Sequence, residues 1–108
     1  MTPRAKKIAD STGLARAIAD TLIDKKCESI RIIDLRKLSD LADYIVIGSA
    51  QSKRHLKNIG EELVGELKEA KIGRFRVEGL KSDSWVVVDL FDVIVHVFMP
   101  DRRNYFAL

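Results

Sequence analysis

Two pairs of aspartates and two histidines are the side chains of this 108-residue chain best suited to chemistry. Asp89 and Asp92 flank the dipeptide Leu90-Phe91, and Asp34 and Asp43 bracket a polar stretch that follows an isoleucine-rich run. Paired carboxylates can hold Mg²⁺ or divide acid and base work between them. A phosphate-transferring nucleotidyltransferase would place Gly-Ser after one strand and Asp-x-Asp on the next. Gly48-Ser49 supplies the first half, but the sequence contains no Asp-x-Asp. The four aspartates are therefore read as strand-end carboxylates that cap turns. No catalytic residue and no metal ligand is assigned, and the chain is expected not to be an enzyme.

His96 lies between Val95 and Val97 and is expected to be a packed, hydrogen-bonded core residue. His55 lacks any spacing that would make it a metal ligand. It closes the run Ser52-Lys53-Arg54-His55, in which cations occupy the first turn of a helix and oppose its dipole. Such a turn can hold a phosphate. Alternatively Arg54 folds back to pair with Asp34 or Asp43, and that is the preferred reading. It makes Asp34, Asp43, Arg54, His55 and His96 a structural network. Trp85 is the only tryptophan. If exposed beside Leu90 and Phe91, it forms an apolar patch ringed by Asp83, Asp89 and Asp92, a composition suited to a basic protein partner. The partner-binding candidates are Trp85, Asp89, Leu90 and Asp92.

These residues need elements to position them. Asp10, Ser11 and Thr12 can cap a helix whose stripe is Leu14, Ile18 and Leu22, ending near residues 25–27. Residues 29–35 and 44–48 read as strands, the second covered on both faces. Between them, residues 36–43 form a polar connection with one helical turn, anchored by Leu38 and Leu41. Ser52 caps a second helix with the stripe Leu56, Ile59, Leu63 and Leu67. Gly60 and Gly65 in that helix imply close packing against a sheet. Residues 74–78, 85–89 and 92–99 read as three further strands, the last two a hairpin with Leu90-Phe91 as its turn. Neither residue favours the positive φ such a turn requires. Residues 101–108 read as a short terminal helix. The whole is one α/β domain with a mixed sheet of about five strands packed with helices.

Composition agrees. Nineteen Lys+Arg against sixteen Asp+Glu leave a net charge of only +3, too small for general nucleic-acid binding. Three of those cations, Arg4, Lys6 and Lys7, lie in a basic tail over residues 1–10, expected to be flexible, ahead of a single domain over 11–108. The lone Cys27 excludes an internal disulfide. With no signal peptide in view, a cytoplasmic location is expected.

The ordered set Asp34-Leu35, Ser39, Ala42-Asp43-Tyr44, Ser52-x-Arg54-His55, Val77-Glu78-Gly79, Trp85 and Asp89-x-x-Asp92-Val93-Ile94-Val95-His96-Val97-Phe98 resembles the Iojap family, also called the ribosomal silencing factor S family. The likeness runs over nearly the whole chain, from about Leu14 to Tyr105. Phe91 departs from it, standing where the family usually has Gly. The resemblance implies a nucleotidyltransferase-like topology without the catalytic carboxylates. It also implies a non-enzyme, with no cofactor, that binds the large ribosomal subunit through its fourteenth protein. Bound there, such a factor blocks joining of the small subunit and lowers translation when nutrients run short. Homodimers are implied as well, but neither a membrane nor a sequence-specific nucleic-acid partner. The alternative, a metal-dependent nucleotidyltransferase or nucleotide-binding domain, rests on fold analogy alone.

Overall fold

A computed structural model describes residues 10–82 and 84–100. The expected N-terminal tail, apart from Asp10, and the terminal helix lie outside the described residues. The first helix, α1 (Ser11–Asp24), starts where the Asp10 carboxylate accepts the Gly13 N–H at 2.7 Å. Leu14, Ala15, Ile18, Ala19 and Leu22 form its buried stripe. The second helix, α2 (Lys53–Glu69), starts where Ser52 Oγ accepts the His55 N–H at 3.0 Å, and it buries Leu56, Ile59, Leu63 and Leu67.

Both helices stop by the same device. Beyond α1, Lys26 adopts φ 68°, with Lys26 N–H donating to Ile23 C=O and Cys27 N–H to Leu22 C=O. Beyond α2, Lys71 adopts φ 58°, with Lys71 N–H donating to Lys68 C=O and Ile72 N–H to Leu67 C=O. These are Schellman closures, with lysine in the left-handed position that glycine usually fills.

Five strands follow the sequence order β1 (Glu28–Asp34), β2 (Tyr44–Ser49), β3 (Arg76–Glu78), β4 (Trp85–Asp89) and β5 (Val93–Phe98). In space their order is β1-β2-β5-β4-β3. The mixed sheet has one parallel pairing, between β2 and β5 across α2, and every other pair is antiparallel. β2, in the sheet interior, is buried throughout except for Ile45, as its unbroken apolar run predicts.

Alternation sorts the side chains by face. Val46 of β2, Val86 and Val88 of β4, and Val93, Val95 and Val97 of β5 are buried in one core with the two helices. Gly60 earns its place there: a Cβ would stand 2.8 Å from Leu80 Cδ2 and 3.3 Å from Val86. Gly65 does not, because it is exposed and a Cβ would meet nothing. The expectation of close packing thus holds at Gly60 and fails at Gly65.

Leu38 and Leu41 do not anchor the connection after β1; they are 81% and 89% exposed. The segment is held by its backbone instead. Leu35 C=O accepts from the N–H groups of Leu38 and Ser39, and Leu35 N–H donates to Asp43 C=O. Among the described residues no helix is long and apolar enough to cross a membrane.

Candidate functional site

The face of the sheet turned away from α1 and α2 carries Trp85, Val87 and Asp89 of β4, beside Ile94, His96 and Phe98 of β5. Ile45 and Ile47 of β2 continue it. These side chains differ in kind from the valine layer behind them: they are larger, include rings and a carboxylate, and most are half-buried.

Trp85 sits at the start of β4, half-buried, with its indole against Gly79. A Cβ on Gly79 would stand 2.7 Å from the indole, and Gly79 also has φ 88°. Only glycine meets both demands. That gives a physical reason for Val77-Glu78-Gly79 and Trp85 to occur together. The Gly79 role went unseen in the sequence because it depends on the return of the chain six residues later. Ser82 shapes that return, its Oγ accepting the Ser84 N–H at 3.0 Å and its own N–H donating to Gly79 C=O.

At the other end of β4 the tip is longer than two residues. β5 begins at Val93, so Leu90, Phe91 and Asp92 form the connection, closed by Leu90 N–H to Val93 C=O at 2.9 Å. Phe91 takes the left-handed conformation, φ 72°. Two features hold it there. Asp89 Oδ1 accepts the Phe91 N–H at 2.8 Å, and the guanidinium groups of Arg74 and Arg76 lie 4.7 and 5.7 Å from the ring centroid. Stacking of cations on the ring offsets part of the backbone cost.

Leu90 is buried, 6% exposed. The expectation of an exposed Leu90-Phe91 pair is corrected here: Leu90 shares the helix-side face with Val86 and Val88 and joins the core. Of the four docking candidates, Trp85 and Asp89 are half-buried on the helix-free face and Asp92 is exposed at the tip.

The expected network divides into separate pieces. Asp34 pairs with Arg36, Oδ2 to Nη2 at 2.7 Å, and not with Arg54. Hydrogen bonds from the Arg36 side chain and backbone hold its carboxyl down at about 2. Asp43 accepts from Ser11 Oγ at 2.6 Å and so ties α1 to the start of β2, where Thr12 Oγ1 lies 2.8 Å from the Tyr44 hydroxyl. Arg54 is exposed and lines a cavity beside Lys57 and Lys81. The preferred pairing of Arg54 fails because Asp34 has a cation two residues away, at lower entropic cost.

His55 is structural. Its Nδ1 accepts the Gln51 N–H at 2.9 Å, so the proton belongs on Nε2, which lies 2.6 Å from Lys25 C=O. Gln51 Nε2 donates to Lys26 C=O at 2.9 Å. Together they satisfy carbonyls at the end of α1 that the helix leaves unpaired. His96 stacks on Phe98, ring centroids 5.7 Å apart, with no hydrogen bond among the described residues. Burial holds its pKa below the usual histidine value, with the Asp89 charge pulling the other way.

Chemically, the arrangement offers binding groups. Among the described residues no three His, Cys, Asp or Glu side chains converge on a metal position. The Cys27 thiol is pushed up to about 12 by burial, which keeps it protonated.

The family model described as "Ribosomal silencing factor during starvation" matches residues 8–108. A ribosomal silencing factor of Zymomonas mobilis is 32% identical over 108 residues, covering 99% of this chain and 81% of its own. One of Bacillus subtilis is 38% identical over 85 residues, covering 79% and 72%. A crystal structure of a protein from Bacillus halodurans superposes with a TM-score of 0.80 at 32% identity, covering 90% of both chains. These relatives carry the names of silencing factors and not of enzymes. The motif residues, the five-stranded fold and these matches agree, and the chain belongs to the ribosomal silencing factor family.

Proposed function

We propose that this chain binds the large ribosomal subunit through its fourteenth protein and blocks the small subunit from joining, so repressing translation when nutrients are limiting. It acts in the cytoplasm, as a homodimer, by steric occlusion and without catalysis. The observation that carries this reading is the helix-free face at β4, which unites Trp85 with Asp89 and leads to Asp92, in a chain of this family.

The face suits a basic protein partner. Trp85 presents a large rigid ring braced by Gly79, and such rings concentrate binding energy. At the opposite end of β4, Asp89 and Asp92 put carboxylates beside the Arg74 and Arg76 guanidiniums on Phe91, so they orient a basic partner by local pairing rather than by net charge. Leu90 takes part from below, by packing the tip onto the core rather than by touching the partner.

The test is sedimentation of purified ribosomal subunits with the chain. Expected is co-sedimentation with the large subunit alone, together with fewer joined ribosomes when small subunits are added. Equal co-sedimentation with both subunits, or with neither, overturns the reading. So does hydrolysis of a nucleoside triphosphate that disappears in an Asp89→Asn variant.

A further inference from the structure

A cavity of about 670 Å³ opens between the first turns of α2 and the turn that leads into β4. Among the described residues four cations line it, Lys53, Arg54 and Lys57 from the helix and Lys81 from the turn, against one carboxylate, Glu61. The whole chain carries only +3, so cations are concentrated at this concavity.

The first turn of α2 contains no acidic residue, and cations at that end of a helix oppose its dipole. Arg54, Lys57 and Lys81 are exposed and make no ion pair among the described residues, while Asp34 and Asp43 are engaged by Arg36 and Ser11. Charge set against a helix dipole, as at Arg54, with no ion pair among the described residues marks a binding surface.

We propose that this cavity seats the phosphodiester backbone of folded RNA. Lys53 and Lys57 stand one turn apart, about 6 Å along the helix axis. Phosphates follow one another at about 3.4 Å of axial rise along a nucleic-acid strand, so the cluster spans two of them. The Arg54 fork can grip one phosphate through two N–H groups. Among the described residues the lining contains no aromatic ring to stack a base and no buried polar group to hold a small nucleotide. Those absences favour a polymer backbone over a mononucleotide and predict indifference to sequence.

The placement also fits. The turn that contributes Lys81 begins at Gly79, on which Trp85 rests, so the cavity and the Trp85 end of β4 adjoin. The inference deepens the ribosome-bound reading, because RNA is the phosphate polymer a docked chain would meet beside a ribosomal protein.

The test uses the full chain and two naked RNA hairpins of different sequence, followed by fluorescence anisotropy across about 50 to 200 mM salt. Expected is equal binding of both hairpins within about threefold. Arg54→Gln/Lys57→Gln weakens it at least about tenfold at the lowest salt and reduces the slope of log K against log salt by about 2. Lys81→Gln, outside the helix, reduces that slope by about 1. A control, Lys37→Gln/Lys68→Gln, changes binding less than about threefold, and no cavity variant melts below the parent. Equal loss in the cavity and control variants overturns the proposal, as does absence of binding at low salt or strong preference for one hairpin. Complete displacement of RNA by millimolar pyrophosphate does so as well, and assigns the cavity to a small phosphate ligand. A chain that sediments with large subunits but ignores the hairpins refutes this inference alone. One that binds hairpins through the cavity but sediments with neither subunit refutes the ribosome reading alone.

Discussion

The two faces of the sheet are built from the same strands, yet they follow different rules. Toward the helices, every second residue is a valine or leucine closed off from solvent: Val86, Val88, Leu90, Val93, Val95 and Val97. On the other face the alternate positions of the same two strands hold Trp85, Val87, Asp89, Ile94, His96 and Phe98. Uniform aliphatic packing maximises burial with no polar group to satisfy. A mixed face with an indole, an imidazole and a carboxylate is a poor way to build a core and a good way to recognise a partner. Fold and proposed docking are therefore written on opposite parities of the same sequence.

If that division is correct, the largest stability losses belong to the helix side. Leu22→Ala empties a fully buried site between α1 and the sheet and should cost about 2–5 kcal/mol, read as a lowered urea midpoint with an unchanged slope. A loss below about 1 kcal/mol would show that the helix side is not the principal core.

Trp85→Ala asks the opposite question. Half-buried and braced by Gly79, it is expected to cost about 2 kcal/mol of large-subunit affinity, roughly thirtyfold, with a smaller loss of stability. Melting and subunit binding are measured on the same protein. A stability loss of about 3–5 kcal/mol with normal binding by the folded fraction would move Trp85 into the core and erase the distinction between the faces.

Gly65→Ala sharpens the helix side. Gly60 is pressed against Leu80 and Val86, but nothing lies near a Cβ at Gly65. Alanine there should stabilise the protein by about 1 kcal/mol through helix propensity, while Gly60→Ala should destabilise it. Matching signs for the two in thermal melts would show that the helix packs differently.

Much of this was legible in the sequence, for reasons that also explain the failures. The stripes of α1 and α2 and the alternation in β4 and β5 are periodic signals repeated over several residues, and the structure keeps them. The readings of Leu38, Leu41, Leu90 and Arg54 each depended on one residue with competing neighbours. Leu38 and Leu41 lie in a segment held by backbone hydrogen bonds around Leu35, so no element turns them inward. Leu90 keeps strand parity because Phe91, with its cation stack, absorbs the left-handed conformation. Arg54 lost Asp34 to the nearer Arg36. Gly79 was visible as a motif residue, but its contact with Trp85 requires the third dimension.

His96 tests the helix-free face by pH. Burial lowers its folded-state pKa below the unfolded value near 6.5, so the unfolded chain binds the proton more readily. The contribution is fully present above about pH 6.5 and is lost as pH falls through the folded-state value, with a slope below about 1.4 kcal/mol per pH unit for one proton. His96→Gln should flatten the part of the acid limb just below pH 6.5. An unchanged limb would show that His96 keeps its solvent and that this face is more open than its neighbours imply.

The smallest expected effect isolates charge from shape at the tip. Asp89 does two things at once: its Oδ1 accepts the Phe91 N–H at 2.8 Å, and its negative charge faces the proposed partner and His96. Asparagine keeps a carbonyl oxygen for the Phe91 N–H and removes only the charge. Asp89→Asn should therefore melt within about 0.5 kcal/mol of the parent. It should weaken large-subunit binding by a few tenths to about 1 kcal/mol, most at low salt, where a rim charge is least screened. The same change should lower the His96 titration further, because the Asp89 charge is what raises it, and NMR of the imidazole reads that directly. Asp89→Ala, which also removes the acceptor, should lose more stability than asparagine does, since the strained Phe91 then has only its arginine stack. If asparagine and alanine weaken binding equally while both melt like the parent, the tip is held without Asp89 and its carboxylate acts in docking alone. If asparagine binds normally at every salt concentration, the charge has no role in docking and recognition on this face falls to its apolar rings.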